Sequence, residues 1–365
     1  MKTSKFLVLF GIITMIGFLA GPTGIGTPAE AQTKQTLKLR IGSGIPLAAD
    51  WIRFQSEFFC KEVVKRVNER TNYKLELSEH WGGSVVKVGE ELEAIEMGLL
   101  DMGGLTLSFE PTKLYLHNYA YNIPFFTSDP RASARVHVKL YEKFPVFKEI
   151  LKKYNQVYLG AGVVGDYGLN TTFPVRKVED VKGRKFGAAG ANLPWISGIG
   201  AIPVQSNLNE GYTCLQTGVY DGFVVFATSV VASKLYEVAP NFIEANLGAT
   251  PGLVAITVNT KVWDKLPKEV KAILQEVANE FIVKEPEFVV ARTQNAYKVM
   301  KDAGTNIFKM PVEEKVKWAK SLVNQPKKFA KEAEAKGWPG TEIMKAAIKF
   351  AEEEGHKHPR KWMEE

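Results

Sequence analysis

Two periodicities alternate along this chain, and their alternation limits the fold more than any other feature. Leu37-Lys-Leu-Arg-Ile41 has the period of two expected of a half-buried strand. A loop at Gly42-Ser-Gly-Ile-Pro46 follows, and residues 51–70 then carry apolar side chains at helical spacing. Lys74-Leu-Glu-Leu-Ser78 alternates again, residues 88–98 read as a helix closed by Gly98, and residues 99–105 are apolar enough for a buried strand. The rhythm returns downstream. Residues 156–164, 185–189, 221–226 and 253–258 predict strands, and residues 210–217 predict a helix stopped by Gly218. Beyond Pro267 the chain reads as mostly helical. Alternation of this kind predicts an α/β fold with largely parallel sheets.

The first 31 residues stand apart. Lys2 and Lys5 precede an apolar run over residues 6–20, and Ala29-Glu30-Ala31 offers a small-x-small cleavage pattern, which together predict a cleaved secretory signal. The run is short for a membrane span. A mature chain starting near Gln32 is longer than one hydrophobic core usually holds, so two lobes are expected. Its 45 basic residues against 39 acidic ones leave a mildly basic chain once Lys2, Lys5 and Glu30 are removed. The lysines are scattered rather than clustered on one face, which argues against nucleic acid as a partner. Cys60 and Cys214 form no C-x-x-C, and both are expected to be buried free thiols. Residues 351–365 form a charged tail, expected to fray with His356 and His358 exposed to solvent.

Motifs for group transfer or metal chemistry fail in turn. Val181-Lys-Gly-Arg-Lys-Phe-Gly-Ala-Ala-Gly190 is glycine-rich, but Ala191 and Asn192 follow where a phosphate loop needs lysine and a hydroxyl. Its glycine spacing is not that of a dinucleotide fingerprint either. The five histidines include no H-E-x-x-H, and no G-x-S-x-G elbow occurs. No sequence feature nominates a catalytic centre, a cofactor or a metal site. More informative are aromatic residues at or near predicted strand ends: Trp51, Trp81, Phe109, Tyr167, Trp195, Phe223 and Phe226. In open α/β sheets ligands sit outside the carboxyl ends of strands, and pockets are mostly apolar.

Several segments, taken in order, resemble one family. They are Gly89-Glu-Glu-Leu-Glu-Ala-Ile-Glu-Met-Gly98 with Asp101-Met102; Ile123-Pro-Phe-Phe126; Glu179-Asp-Val-Lys-Gly183; Gly200-Ala-Ile-Pro203; Glu210-Gly-Tyr-Thr-Cys-Leu-Gln-Thr-Gly218 with Asp221-Gly222; and Asn259 with Trp263-Asp-Lys-Leu-Pro267. The chain resembles the solute-binding subunit of tripartite ATP-independent periplasmic (TRAP) transporters, of the dicarboxylate-binding type. The resemblance implies a class II-like periplasmic-binding fold with a ligand cleft between two lobes and a long helix spanning both. It implies residues 32–164 plus about 254–292 in lobe I, and about 165–253 plus 293–350 in lobe II. It implies a monomeric receptor that captures a small organic acid in the periplasm and hands it to a membrane permease, with no bond made or broken.

Three positions depart from the family pattern. The motif D-x-K-G-x-K-x-R places its ligand-clamping arginine at Gly187. A basic contact 20 residues earlier falls on Tyr167, and the asparagine of D-G-x-x-N falls on Val225. Loss of these groups predicts a roomier, less polar pocket for an aromatic or bulky hydrophobic carboxylate. A neutral or cationic solute, an enzyme on the same fold, and a shifted register around residues 187–192 remain open alternatives.

Overall fold

The computed structural model describes residues 34–365; the expected signal segment and the start near Gln32 lie outside them. Ten strands form: β1 (Gln35–Gly42), β2 (Tyr73–His80), β3 (Met102–Thr106), β4 (Gln156–Thr171), β5 (Lys185–Ala188), β6 (Ile202–Gln205), β7 (Gly222–Phe226), β8 (Asn241–Glu244), β9 (Ala249–Asn259) and β10 (Asn306–Lys309). Their order is β2-β1-β3-β9-β4-β7-β5-β6, with β8 also on β4 and β10 on β8. The pairings β1–β2, β1–β3, β5–β6, β5–β7 and β8–β10 are parallel. Those at the centre, which involve β4 and β9, are antiparallel. The sheet is therefore mixed rather than largely parallel. A strand that returns through the middle runs against its neighbours whatever the flanking crossovers do.

The 16-residue β4 organises the molecule. Up to Asp166 it pairs with β9; from Tyr167 it pairs with β7, and from Leu169 with β8 as well. Its register against β9 shifts between Ala161 and Val163 and again between Val163 and Asp166, the kind of irregularity that bends a strand and re-aims its side chains. Gly160-Ala-Gly-Val-Val-Gly165 has dinucleotide-motif spacing, but it lies inside this strand and opens no helix. The glycines instead admit the long helix Lys268–Asp302. A Cβ on Gly160 would lie 2.9 Å from Ile282 Cδ1, and one on Gly162 3.1 Å from Glu285 Oε1.

That helix has 35 residues, a length of about 52 Å at 1.5 Å per residue. Its first half buries Val270, Ile273, Leu274, Val277 and Phe281 in a core with β1, β2 and β3. Its second half buries Ala296 and Met300 in a separate core with Phe223, Val225 and Phe242. Pro286 sits between the halves. The fold is the expected two-lobe α/β architecture with a helix serving both cores.

Local signals explain several boundaries. Asp129 caps Pro130–Lys143 by accepting from Arg131 N, with proline at the first helical position. Asn259 caps Thr260–Lys265, accepting from Lys261 N at 2.8 Å. The C-terminal tail does not fray. After the helix Gly340–Glu353 the chain folds back and buries Trp362 to 1% exposure. Arg360 Nη1 donates to the Ala319 and Leu322 carbonyls at 3.0 and 2.6 Å, and His356 Nε2 lies 2.8 Å from Phe125 O. His356 and His358 are thus half-buried against one another, not solvated. Cys60 is a buried free thiol as expected, while Cys214 is half-buried.

Candidate functional site

Four of the aromatic residues singled out in the sequence meet at the place where β4 passes from one set of partners to the other. Trp51 leaves the helix Asp50–Phe54 and meets Phe226, at the end of β7, edge-on at 5.5 Å between centroids. Phe226 meets Tyr167 at 5.1 Å and 84°, and Tyr167 meets Trp195 at 5.3 Å and 83°. Edge-to-face contacts of this kind are a preferred aromatic geometry. Tyr121, which the sequence reading missed, stacks on Trp195 at 5.9 Å. Its carbonyl accepts from Trp195 Nε1 at 2.8 Å, and Trp318 Nε1 in turn donates to the Trp195 carbonyl at 2.7 Å. Register explains the grouping. Tyr167 and Phe226 are directly paired across β4 and β7, so their side chains share a face.

The other predicted positions lie elsewhere. Phe223 and Val225 alternate with Phe226 along β7 and face the opposite core. Gly187 points the same way: a Cβ there would fall 2.5 Å from Phe223 Cδ2 and 2.7 Å from Tyr220 Cζ. The expected extra room at Gly187 does not exist, because two aromatic rings already fill it. Trp81 is half-buried, with its Nε1 donating to Glu79 at 2.7 Å, and Phe109 is 44% exposed beside Gly89. Trp81 packs against the core that contains the five rings, whereas Phe109 lies at the surface.

Polar atoms around the rings are unusually short of partners. Buried polar groups are nearly always hydrogen-bonded, yet Trp51 Nε1 and both polar atoms of the Asn192 side chain have none. Asn192 directly precedes the short helix Leu193–Ser197 that carries Trp195. The Thr250 hydroxyl lies beside the phenols of Tyr121 and Tyr167, which approach each other at 3.5 Å. Burial pushes both phenols above their ordinary range, so they stay neutral donors. The sequence offered one clue to Tyr121, which lies just ahead of Ile123-Pro-Phe-Phe126. It offered none to Thr250.

Several charged groups of this half of the molecule have partners within the fold. Asp50, buried beside Trp51, accepts from Arg292 Nε at 2.9 Å. Arg184 and the Lys185 backbone both engage Asp221. Glu285, fully buried in the long helix, accepts from Val163 N at 3.0 Å, while its Oε1 has no partner. Burial raises its carboxyl to about 8, opposed by that backbone hydrogen bond and aided by the Asp50 charge. Asp166 is raised to about 7 by burial, though it accepts from Asn246 Nδ2 and Gly248 N. A further buried network of His117, His137, Tyr119, Tyr141 and Tyr158 lies in the core; burial lowers both histidines to about 3. Among the described residues no group of His, Cys, Asp and Glu side chains is placed to hold a metal ion, and no helix is long and apolar enough to cross a membrane.

Two lobes share the strands β4 and β9, and the aromatic rings and unpaired polar atoms lie where β4 changes partners. The family model of bacterial extracellular solute-binding proteins, family 7, matches residues 55–332, and the chain belongs to that family. The C4-dicarboxylate-binding periplasmic protein DctP of Rhodobacter capsulatus is 25% identical over 260 residues, 69% of this chain and 75% of its own. A TRAP solute-binding protein from a marine metagenome, specific for aromatic acid ligands and crystallised with 3-hydroxybenzoate, superposes with TM-score 0.76 at 19% identity, covering 88% of this chain and 99% of its own. Another from Rhodoferax ferrireducens, holding copurified benzoate, gives TM-score 0.77 at 14% identity, covering 87% and 98%.

Proposed function

We propose that this chain is the exported receptor of a TRAP transporter, and that it encloses an organic acid with an aromatic or bulky apolar body between its lobes for delivery to a membrane permease. The observation that carries the reading is the five-ring group with buried polar atoms lacking partners. A flat apolar solute replaces ring–ring contacts with its own faces, and its polar end satisfies the unpaired groups. Lobe I comprises residues 32–164 plus about 254–292, and lobe II about 165–253 plus 293–350. The receptor works as a monomer, reaches the periplasm through cleavage of residues 1–31, and carries out no chemistry on its solute.

The test is a thermal-shift series on residues 32–365 with benzoate, 3-hydroxybenzoate, benzamide and succinate. A solute at 100 times its Kd stabilises the fold by about 2.7 kcal/mol. Stabilisation by the aromatic acids and not by succinate is the expected result; stabilisation by succinate alone rejects the aromatic assignment. A neutral solute is the second reading. It is favoured by one observation: among the described residues, no lysine or arginine is seen stacked on or hydrogen-bonded to these five rings.

A further inference from the structure

Resting on the reading of the ring group as the solute site, we propose that the solute's polar end is recognised by uncharged donors, with the Trp51 indole N–H and the Asn192 carboxamide as the residues that set specificity. Three observations converge. The position where a clamping guanidinium is expected, Gly187, faces Tyr220 and Phe223 and has no space for a side chain. Arg292 is held by Asp50, the neighbour of Trp51, and Arg184 by Asp221. Two of the buried groups left without hydrogen-bond partners are uncharged and come from different parts of the chain: Trp51 Nε1 between β1 and β2, and the Asn192 carboxamide after β5.

The chemistry of the pair is specific. An indole N–H only donates, so it meets a carbonyl or carboxylate oxygen and rejects a donor. A carboxamide both donates and accepts, so it reads a second oxygen, a hydroxyl or an N–H on the same solute. Neutral donors favour a polar end by hydrogen bonding rather than by Coulomb attraction. A carboxylate and its carboxamide then bind alike, and added salt changes little. An arginine clamp behaves in the opposite way, preferring the anion strongly.

The experiment compares wild-type protein with Trp51→Phe and Asn192→Leu. It reads the melting temperature without solute, and the Kd for benzoate, 3-hydroxybenzoate and benzamide by calorimetry at low and high sodium chloride. Asn192→Leu removes two buried polar atoms that lack partners, so its solute-free melting temperature is expected to hold or rise. Affinity in both variants is expected to fall about 10- to 100-fold, the loss of one or two well-formed hydrogen bonds. Benzoate and benzamide are expected within about tenfold of each other, with salt shifting Kd less than about twofold. Binding undiminished in both variants overturns this inference alone. So does a benzoate affinity that collapses with salt while benzamide fails to bind. Affinity lost only in proportion to solute-free stability makes both residues structural and overturns it as well. A wild-type protein indifferent to every probe overturns the solute class on which the inference rests.

Discussion

At Gly187 the deciding quantity is volume. The sequence makes this glycine look like a vacated ligand contact, yet Tyr220 and Phe223 occupy the space a side chain needs. Gly187→Ala is expected to destabilise the fold by about 1–3 kcal/mol through overpacking, and Gly187→Arg by more, with no gain in acid binding. Urea denaturation with a parallel titration of benzoate checks both halves. At Glu285 the deciding quantity is a proton. Burial holds its carboxyl at about 8, against an ordinary value near 4.5, so the folded state keeps a proton that the unfolded chain releases. Stability therefore falls as pH rises from about 4.5 and the loss is complete above about 8. Glu285→Gln keeps an acceptor for Val163 N and removes that slope, and is expected to be more stable than wild type by about 1–3 kcal/mol at pH 9. Equal pH profiles for the two proteins would show that Glu285 is not the group responsible. Residue-level legibility followed the same line. Of the aromatics expected at or near strand ends, Phe226 closes β7, whereas Trp51 and Trp195 stand on short helices and Tyr167 inside β4. Phe223 and Val225 face the other core, because one step along a strand turns a side chain to the other face.

Among the elements, β4 and the tail depart furthest from the sequence. The strand expected over residues 156–164 continues to Thr171, and Gly160, Gly162 and Gly165 within it lie against the long helix. The short strands β6, β8 and β10 carry too little periodicity to stand out, and the partners of β8 and β10 are distant in sequence. The tail reads as a charged, frayed end because its composition is polar. A single indole decides otherwise. Trp362→Ala is expected to cost about 3–5 kcal/mol and to lower the melting temperature by several degrees. A change below about 0.5 kcal/mol would mean that the tail is held by Arg360 and His356 alone. The long helix was marked by Pro267 at its start, whereas Pro130–Lys143 and Thr260–Lys265, capped by Asp129 and Asn259, went unread.

For the whole molecule, the α/β class, the two lobes and the family were legible, because their signals are spread along most of the chain and survive errors of two or three residues. Strand order was not, since pairing is settled by contacts between segments a hundred residues apart. That order has a consequence for how the protein is made. β3 pairs with β9, so the sheet begun at Gln35 lacks its inner strands until residue 259 has been synthesised, and its covering helix until residue 302. Until then Leu39, Ile41, Leu75 and Met102 have Phe59, Val63 and Val67 against them but lack the side chains of the long helix. The first lobe is thus delayed by the second, and the nascent chain has no autonomous unit to fold into until about four-fifths of it exists. Late commitment of this kind leaves the assembly of both lobes until the last fifth of the chain arrives.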